Sequence, residues 1–150
     1  MKRPLMKAVM LATVGLALAE LGLEAQAADI TVIDGSSSLI HPYFKSNCWD
    51  PSLISAPSPN AWVFFGGIGA HSQFTWPAFE GLLKAKCKNP KVHFTYVLDG
   101  EAPPVVGQVK KSRKVNLDFD ASVPVYTITL GDVPVITDVT PADDDNDDDD

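Results

Sequence analysis

Beyond residue 28 the apolar side chains recur at every second position in short runs, and turn residues cut each run short. That period belongs to strands with one buried face, so the pattern commits the chain to β structure. Residues 29–34 (DITVID) set Ile30 and Val32 on one face, and residues 92–98 set Val92, Phe94, Tyr96 and Leu98 against His93, Thr95 and Val97. In 114–120, Val115, Leu117 and Phe119 alternate with Asn116, Asp118 and Asp120. In 125–130, Tyr126, Ile128 and Leu130 alternate with Val125, Thr127 and Thr129. The continuous apolar run 61–65 predicts a central strand covered on both faces. Further strands are expected near 38–44, 105–110 and 133–139.

Turn signals separate the runs: Asp34-Gly35-Ser36, Asp99-Gly100, Pro103-Pro104 and Gly131-Asp132. The last of these fits a two-residue type II′ hairpin. One segment departs from the period of two. In 75–88, Phe79, Leu82, Leu83 and Cys87 fall at helical spacing, Thr75 is placed to cap the start, and Asn89-Pro90 ends the run. A short helix is expected there. The sum is an all-β fold, a small antiparallel β-sandwich of seven or eight strands with one short helix.

A chain of 150 residues holds one domain of this kind. Lys2, Arg3 and Lys7 precede an apolar stretch over 8–19, and Ala25-Gln26-Ala27 follows as a small-residue exit. This is the layout of a cleaved secretory signal peptide over 1–27. A buried N-terminal helix is the alternative, but the stretch has no polar face at helical spacing. The domain is then expected over 28–140 and the product in the periplasm or outside the cell. No apolar run reaches the length of a membrane span, so no transmembrane segment is expected in the mature chain.

The formal net charge of -7 is unevenly distributed. Seven Asp fall in the last ten residues, and residues 28–142 carry nine basic and ten acidic side chains. A nearly neutral body gives no reason to expect nucleic-acid binding, and an acidic tail opposes it. Residues 141–150 are expected to be a solvated, disordered poly-Asp tail. Asp143, Asp145 and Asp147 alternate as calcium ligands do, but the Gly, the Glu and the flanking helices of an EF-hand are missing. The tail also has two basic clusters to rest on: Lys84, Lys86, Lys88 and Lys91, and Lys110, Lys111, Arg113 and Lys114.

Cys48 and Cys87 are the only cysteines. With export, and with no CxxC motif, a structural disulfide is the expected state. Three histidines, His41, His71 and His93, have no short metal-ligand spacing, so no metal and no cofactor is expected. The Gly-rich stretch 66–74 (GGIGAHSQF) fails each catalytic or nucleotide motif it was compared with. Ser72 lacks the flanking glycines of a nucleophile elbow, and the later Gly or Gly-Lys of a dinucleotide or phosphate loop is missing.

Aromatic residues are more informative. Trp49, Trp62 and Trp76, with Tyr43, Phe44, Phe64, Phe65, Phe74 and Phe79, crowd into 43–79. Trp62, Phe64 and Phe65 are assigned to the core. Trp49, in a loop, and Trp76, at the expected helix start, are candidates for display, although Trp49 packed over the disulfide is the competing assignment. With His71, Gln73 and Phe74 they form the expected ligand-binding surface. The leading expectation is an exported, non-enzymatic binding protein whose aromatic and Gly-rich surface engages a carbohydrate, lipid or protein partner. The alternative is a membrane-active protein that inserts the aromatic loop and meets headgroups with Lys84, Lys86, Lys88 and Lys91. An enzyme comes third.

Overall fold

The computed structural model describes residues 28–56, 58, 60–119 and 123–141. The signal peptide and the poly-Asp tail expected from the sequence lie outside the described residues, save for Pro141. Within them the chain forms eight strands: β1 (Asp29–Asp34), β2 (Ile40–Ser46), β3 (Val63–Phe64), β4 (Ser72–Trp76), β5 (Lys91–Leu98), β6 (Val115–Asp118), β7 (Val125–Leu130) and β8 (Ile136–Thr140). They make two four-stranded sheets. Sheet I has the order β4-β1-β7-β8 and sheet II the order β3-β2-β5-β6. Every pairing is antiparallel except β1 with β7, which run parallel from Asp29 opposite Val125 to Asp34 opposite Leu130.

The alternation in the sequence sets the core. Ile30 and Val32 from β1 and Tyr126, Ile128 and Leu130 from β7 face Ile40 and Phe44 from β2, Phe94 and Tyr96 from β5, and Leu117 from β6; all are buried. Phe44 is fully buried at the centre of the aromatic cluster. Its ring lies 4.9 Å from Phe65, 5.2 Å from Trp76, 4.8 Å from Phe79 and 5.3 Å from Phe94. The Cys48–Cys87 disulfide joins the end of β2 to the segment before β5, with 6.0 Å between Cα atoms. It closes a loop whose ends are 39 residues apart.

Four segments differ from the sequence expectation. The helix over 75–88 shrinks to a single 3₁₀ turn at Phe79–Leu82. Trp76 stays extended at the end of β4 to reach Phe44, Ala78 takes a left-handed φ of 52°, and Thr75 bonds the Thr31 hydroxyl across the sheet instead of capping. The run 61–65 is not a central strand: β3 is a two-residue edge strand, and Phe64 is 51% exposed. Residues 105–110 form no strand, because the chain turns at Gly107 (φ 83°) and Gln108 N–H bonds the Val105 carbonyl. Gly131-Asp132 is not a two-residue hairpin. Five residues separate β7 from β8, the Gly131 N–H bonds the Val135 carbonyl, and the Pro134 carbonyl accepts from the Tyr96 hydroxyl.

Candidate functional site

Trp49 shares no exposed surface with the other expected ligand-binding residues, because it is buried. Ile68, in the Gly-rich loop, exchanges backbone hydrogen bonds with Ile40 at the start of β2. Trp49 follows Cys48 beyond the other end of that strand. Seven residues of strand separate the two places, roughly 20 Å. Trp49 is moreover a core residue, 7% exposed, stacked on Phe65 at 5.8 Å and tilted against Phe79 at 5.9 Å. It is held there because its backbone pairs with Leu83, and the Lys84 N–H bonds the Cys48 carbonyl beside the disulfide. Trp49 is therefore removed from the displayed set.

Trp76 is half-buried, edge-on to Phe44 and Phe65. Gln73 and His71 are exposed at the start of β4, and Phe74, 50% exposed, touches Trp76 at 5.0 Å. His71 adopts a left-handed φ of 52°, and its N–H bonds the Ser36 carbonyl. Lys84, Lys86 and Lys88 are exposed on the segment tied to Cys48, while Lys91 is half-buried opposite Asp118. The basic segment thus lies beyond the end of β2 away from the Gly-rich loop.

A more coherent arrangement is the outer face of sheet II. Pairing of β2 with β3 and β5 puts Phe64, Tyr43 and Thr95 in one row across three strands, with His41 and Val97 in the next. Phe64 sits 5.3 Å from the Tyr43 ring and 5.7 Å from the His41 ring. It is exposed because β3 is an edge strand only two residues long. His41 Nε2 is 3.1 Å from Asp99 Oδ1. A Cβ built on Gly67 would stand 3.5 Å from His41 Nδ1 and 3.5 Å from Leu39, so the Gly-rich loop closes directly on this row. Further along the face, the Lys45 ammonium lies 5.0 Å over the Trp62 ring, an arrangement that shields the cation with an aromatic π face.

A separate cleft of about 360 Å³ is lined by residues of β5 and of the loop that follows it, with Thr95 buried at its floor. Strand β6 begins at Val115, opposite Phe94, so the loop rather than a strand covers β5 over Thr95–Val97. The Thr95 hydroxyl bonds the Arg113 carbonyl at 2.7 Å and ties the loop down. Arg113 lays its guanidinium 4.9 Å from the Tyr96 ring centre and donates to Glu101 Oε1 at 2.7 Å. The same oxygen accepts the Leu98 N–H at 2.8 Å. Arg113 and the Leu98 amide hold the Glu101 carboxyl below the usual carboxylate range, and the Glu101 bond raises Arg113. Burial pushes the Tyr96 phenol up.

Sequence reasoning missed Tyr43 and His41 as binding residues and placed Phe64 in the core. One signal was available: in β2, His41, Tyr43 and Lys45 alternate with Ile40, Pro42 and Phe44, which marks a second, polar-aromatic face. Among the described residues no group of three His, Cys, Asp or Glu is placed to hold a metal ion. No described helix is long and apolar enough to cross a membrane. The disulfide is compatible with an oxidising compartment such as the periplasm or the extracellular space. Comparison with family models, curated proteins and solved structures finds no match to this chain.

Proposed function

We propose that the chain is an exported binding module that holds a carbohydrate on the outer face of sheet II and does not turn it over. The observation that carries this reading is the half-exposed Phe64 ring flanked by Tyr43 and His41. Such rings offer an apolar surface to the C–H faces of a sugar, while the Tyr hydroxyl and the His41–Asp99 pair offer hydrogen bonds to its hydroxyls. An apolar ring at the edge of a polar surface suits a ligand that is itself apolar on one face and polar at its rim.

Two arguments weigh against the other readings. A membrane-active protein needs its inserting aromatics exposed beside its headgroup cations, and here Trp49, whose backbone pairs with Leu83 next to Lys84, is buried. A hydrolase built on the His41–Asp99 pair needs a nucleophile at the second ring nitrogen, and Gly67, where a Cβ would stand 3.5 Å from that nitrogen, carries no side chain.

The test is isothermal titration with hexamers of glucose, mannose, galactose and N-acetylglucosamine and with acidic hexuronate oligomers, using the natural protein and Phe64→Ala. The expected result is saturable binding of at least one oligosaccharide, weakened about tenfold or more in the variant. Binding of none at millimolar concentration, or binding indifferent to Phe64→Ala, overturns the reading.

A further inference from the structure

We infer that residues 143–150, the Asp-rich stretch beyond β8, dock on Lys84, Lys86 and Lys88 of the same chain and neutralise them; this is independent of the carbohydrate reading above. The fold brings the two segments to one end of the sandwich. Strand β8 ends with Thr140 opposite Thr127, so Pro141 comes level with Tyr126. The Tyr126 hydroxyl donates to the Asp118 carbonyl on the other sheet, and Asp118 pairs with Lys91 at the start of β5. Segment 84–88 sits at that end too: the Lys84 N–H bonds the Cys48 carbonyl just past β2, and the disulfide fixes Cys87. Two strand spacings and one gap between sheets bring Pro141 within roughly 20 Å of Lys91. Nine residues follow Pro141, seven of them Asp. Extended, they span about 30 Å, which covers that distance.

The other basic cluster is the poorer partner on two counts. Lys110, Lys111, Arg113 and Lys114 precede β6, and the four residues of that strand, about 13 Å, separate them from Asp118. Arg113 is also bonded already to Glu101 at 2.7 Å. By contrast, among the described residues no salt bridge engages Lys84, Lys86 or Lys88, and all three are exposed. The surface beside them suits a carboxylate. Lys84 lines a cleft of about 330 Å³ with Ser46, Asn47, Trp49 and Ser58, and no described carboxylate lines it. Asn47 Oδ1 accepts the Lys91 N–H, which leaves the amide hydrogens to donate. The Trp49 indole N–H has no acceptor among the described residues. Asp50, in the same loop, accepts instead from the Ser52 N–H and hydroxyl. An ionised Asp only accepts, so a run of them complements donors gathered around an ammonium. Seven Asp also outnumber Lys84, Lys86, Lys88 and Lys91, so the docked surface repels the polyanions that bare lysines attract.

The experiment is zero-length carbodiimide cross-linking of the natural protein at low salt, which joins a carboxylate to an amine only where they touch. Mass spectrometry of the digested product identifies the joined residues. Mixing ordinary with nitrogen-15-labelled chain separates links within a molecule from links between two. The expected result is links within one molecule from 143–150 to Lys84, Lys86 or Lys88, reduced about fivefold or more as salt rises to about 0.5 M. Amide spectra then compare the natural chain with Asp143→Asn in which the other six Asp of the stretch are changed alike. They should differ at 84–91 and agree at 110–114. Links mainly to Lys110, Lys111 or Lys114, or links that join two molecules, overturn the inference. So does an absence of links together with unchanged amides at 84–91.

Discussion

Replacing Phe44 with alanine is the sharpest test of how this core is held together. The ring is fully buried and lies within 4.8–5.3 Å, centre to centre, of four others: Phe65, Trp76, Phe79 and Phe94. These neighbours come from both sheets and from the 3₁₀ turn, so a cavity there cannot close by a shift of one element. Truncating a buried Phe costs about 3–5 kcal/mol through lost transfer energy and an unfilled cavity. Edge-on and tilted ring pairs add about 0.5–1.5 kcal/mol beyond area, which places this site at the upper end of the range. The loss should be about 4–5 kcal/mol, near half the stability of a domain at the middle of the usual range. Urea unfolding followed by tryptophan fluorescence, with the disulfide intact, reads the change directly. With a slope of about 2 kcal/mol per molar, the midpoint falls by about 2 M. Phe74→Ala is the internal control: its ring is half exposed at a sheet edge, and its cost should stay below about 1 kcal/mol. A loss under about 1 kcal/mol in Phe44→Ala, or equal losses in the two variants, refutes the packing argument.

Four further outcomes follow from particular positions. Removing the disulfide by Cys48→Ala with Cys87→Ala should cost about 4 kcal/mol in the same assay, from the unfolded-chain entropy of a loop this long. Gly35→Ala should destabilise by about 1–3 kcal/mol, because its Cβ would stand 2.7 Å from the Leu130 carbonyl oxygen. Gly81→Ala, where nothing lies within 4 Å of the new methyl, should be nearly neutral by the same measurement. The Glu101 carboxyl, held low by Arg113 and the Leu98 amide, should titrate below the ordinary glutamate range by NMR and move back up in Arg113→Gln. A depressed folded pKa means that the Glu101 contribution is present above the unfolded value of about 4.3 and is lost as pH falls through the folded one.

The strands were legible where one face is buried and the other polar. Val115, Leu117 and the alternation from Tyr126 to Leu130 point inward as their spacing requires, and the two cysteines meet. The errors fall where tertiary packing overrides local pattern. Phe79, Leu82 and Leu83 have helical spacing, yet Phe79 must enter the aromatic cluster directly after an extended Trp76, which leaves room for one 3₁₀ turn. Phe64 and Phe65 are adjacent and alike in sequence, but a strand sends neighbours to opposite faces: Phe65 packs on Phe44, and Phe64 stands on the outer face. An uninterrupted apolar run hides that parity. The pairing of Arg113 with Glu101 and Tyr96 could not be found from sequence, since it depends on the loop from Asp99 onward folding back over β5. Trp49 carries the opposite lesson, that a tryptophan in a loop is a core residue when a disulfide pulls the loop inward.

Amide correlation NMR of the isotope-labelled chain, titrated with a bound hexamer, locates where an oligosaccharide touches the protein. Shifts concentrated at His41, Tyr43 and Phe64 are the predicted result. Shifts confined to Gln73 and Phe74 on β4, or to the 84–91 segment by the disulfide, contradict it.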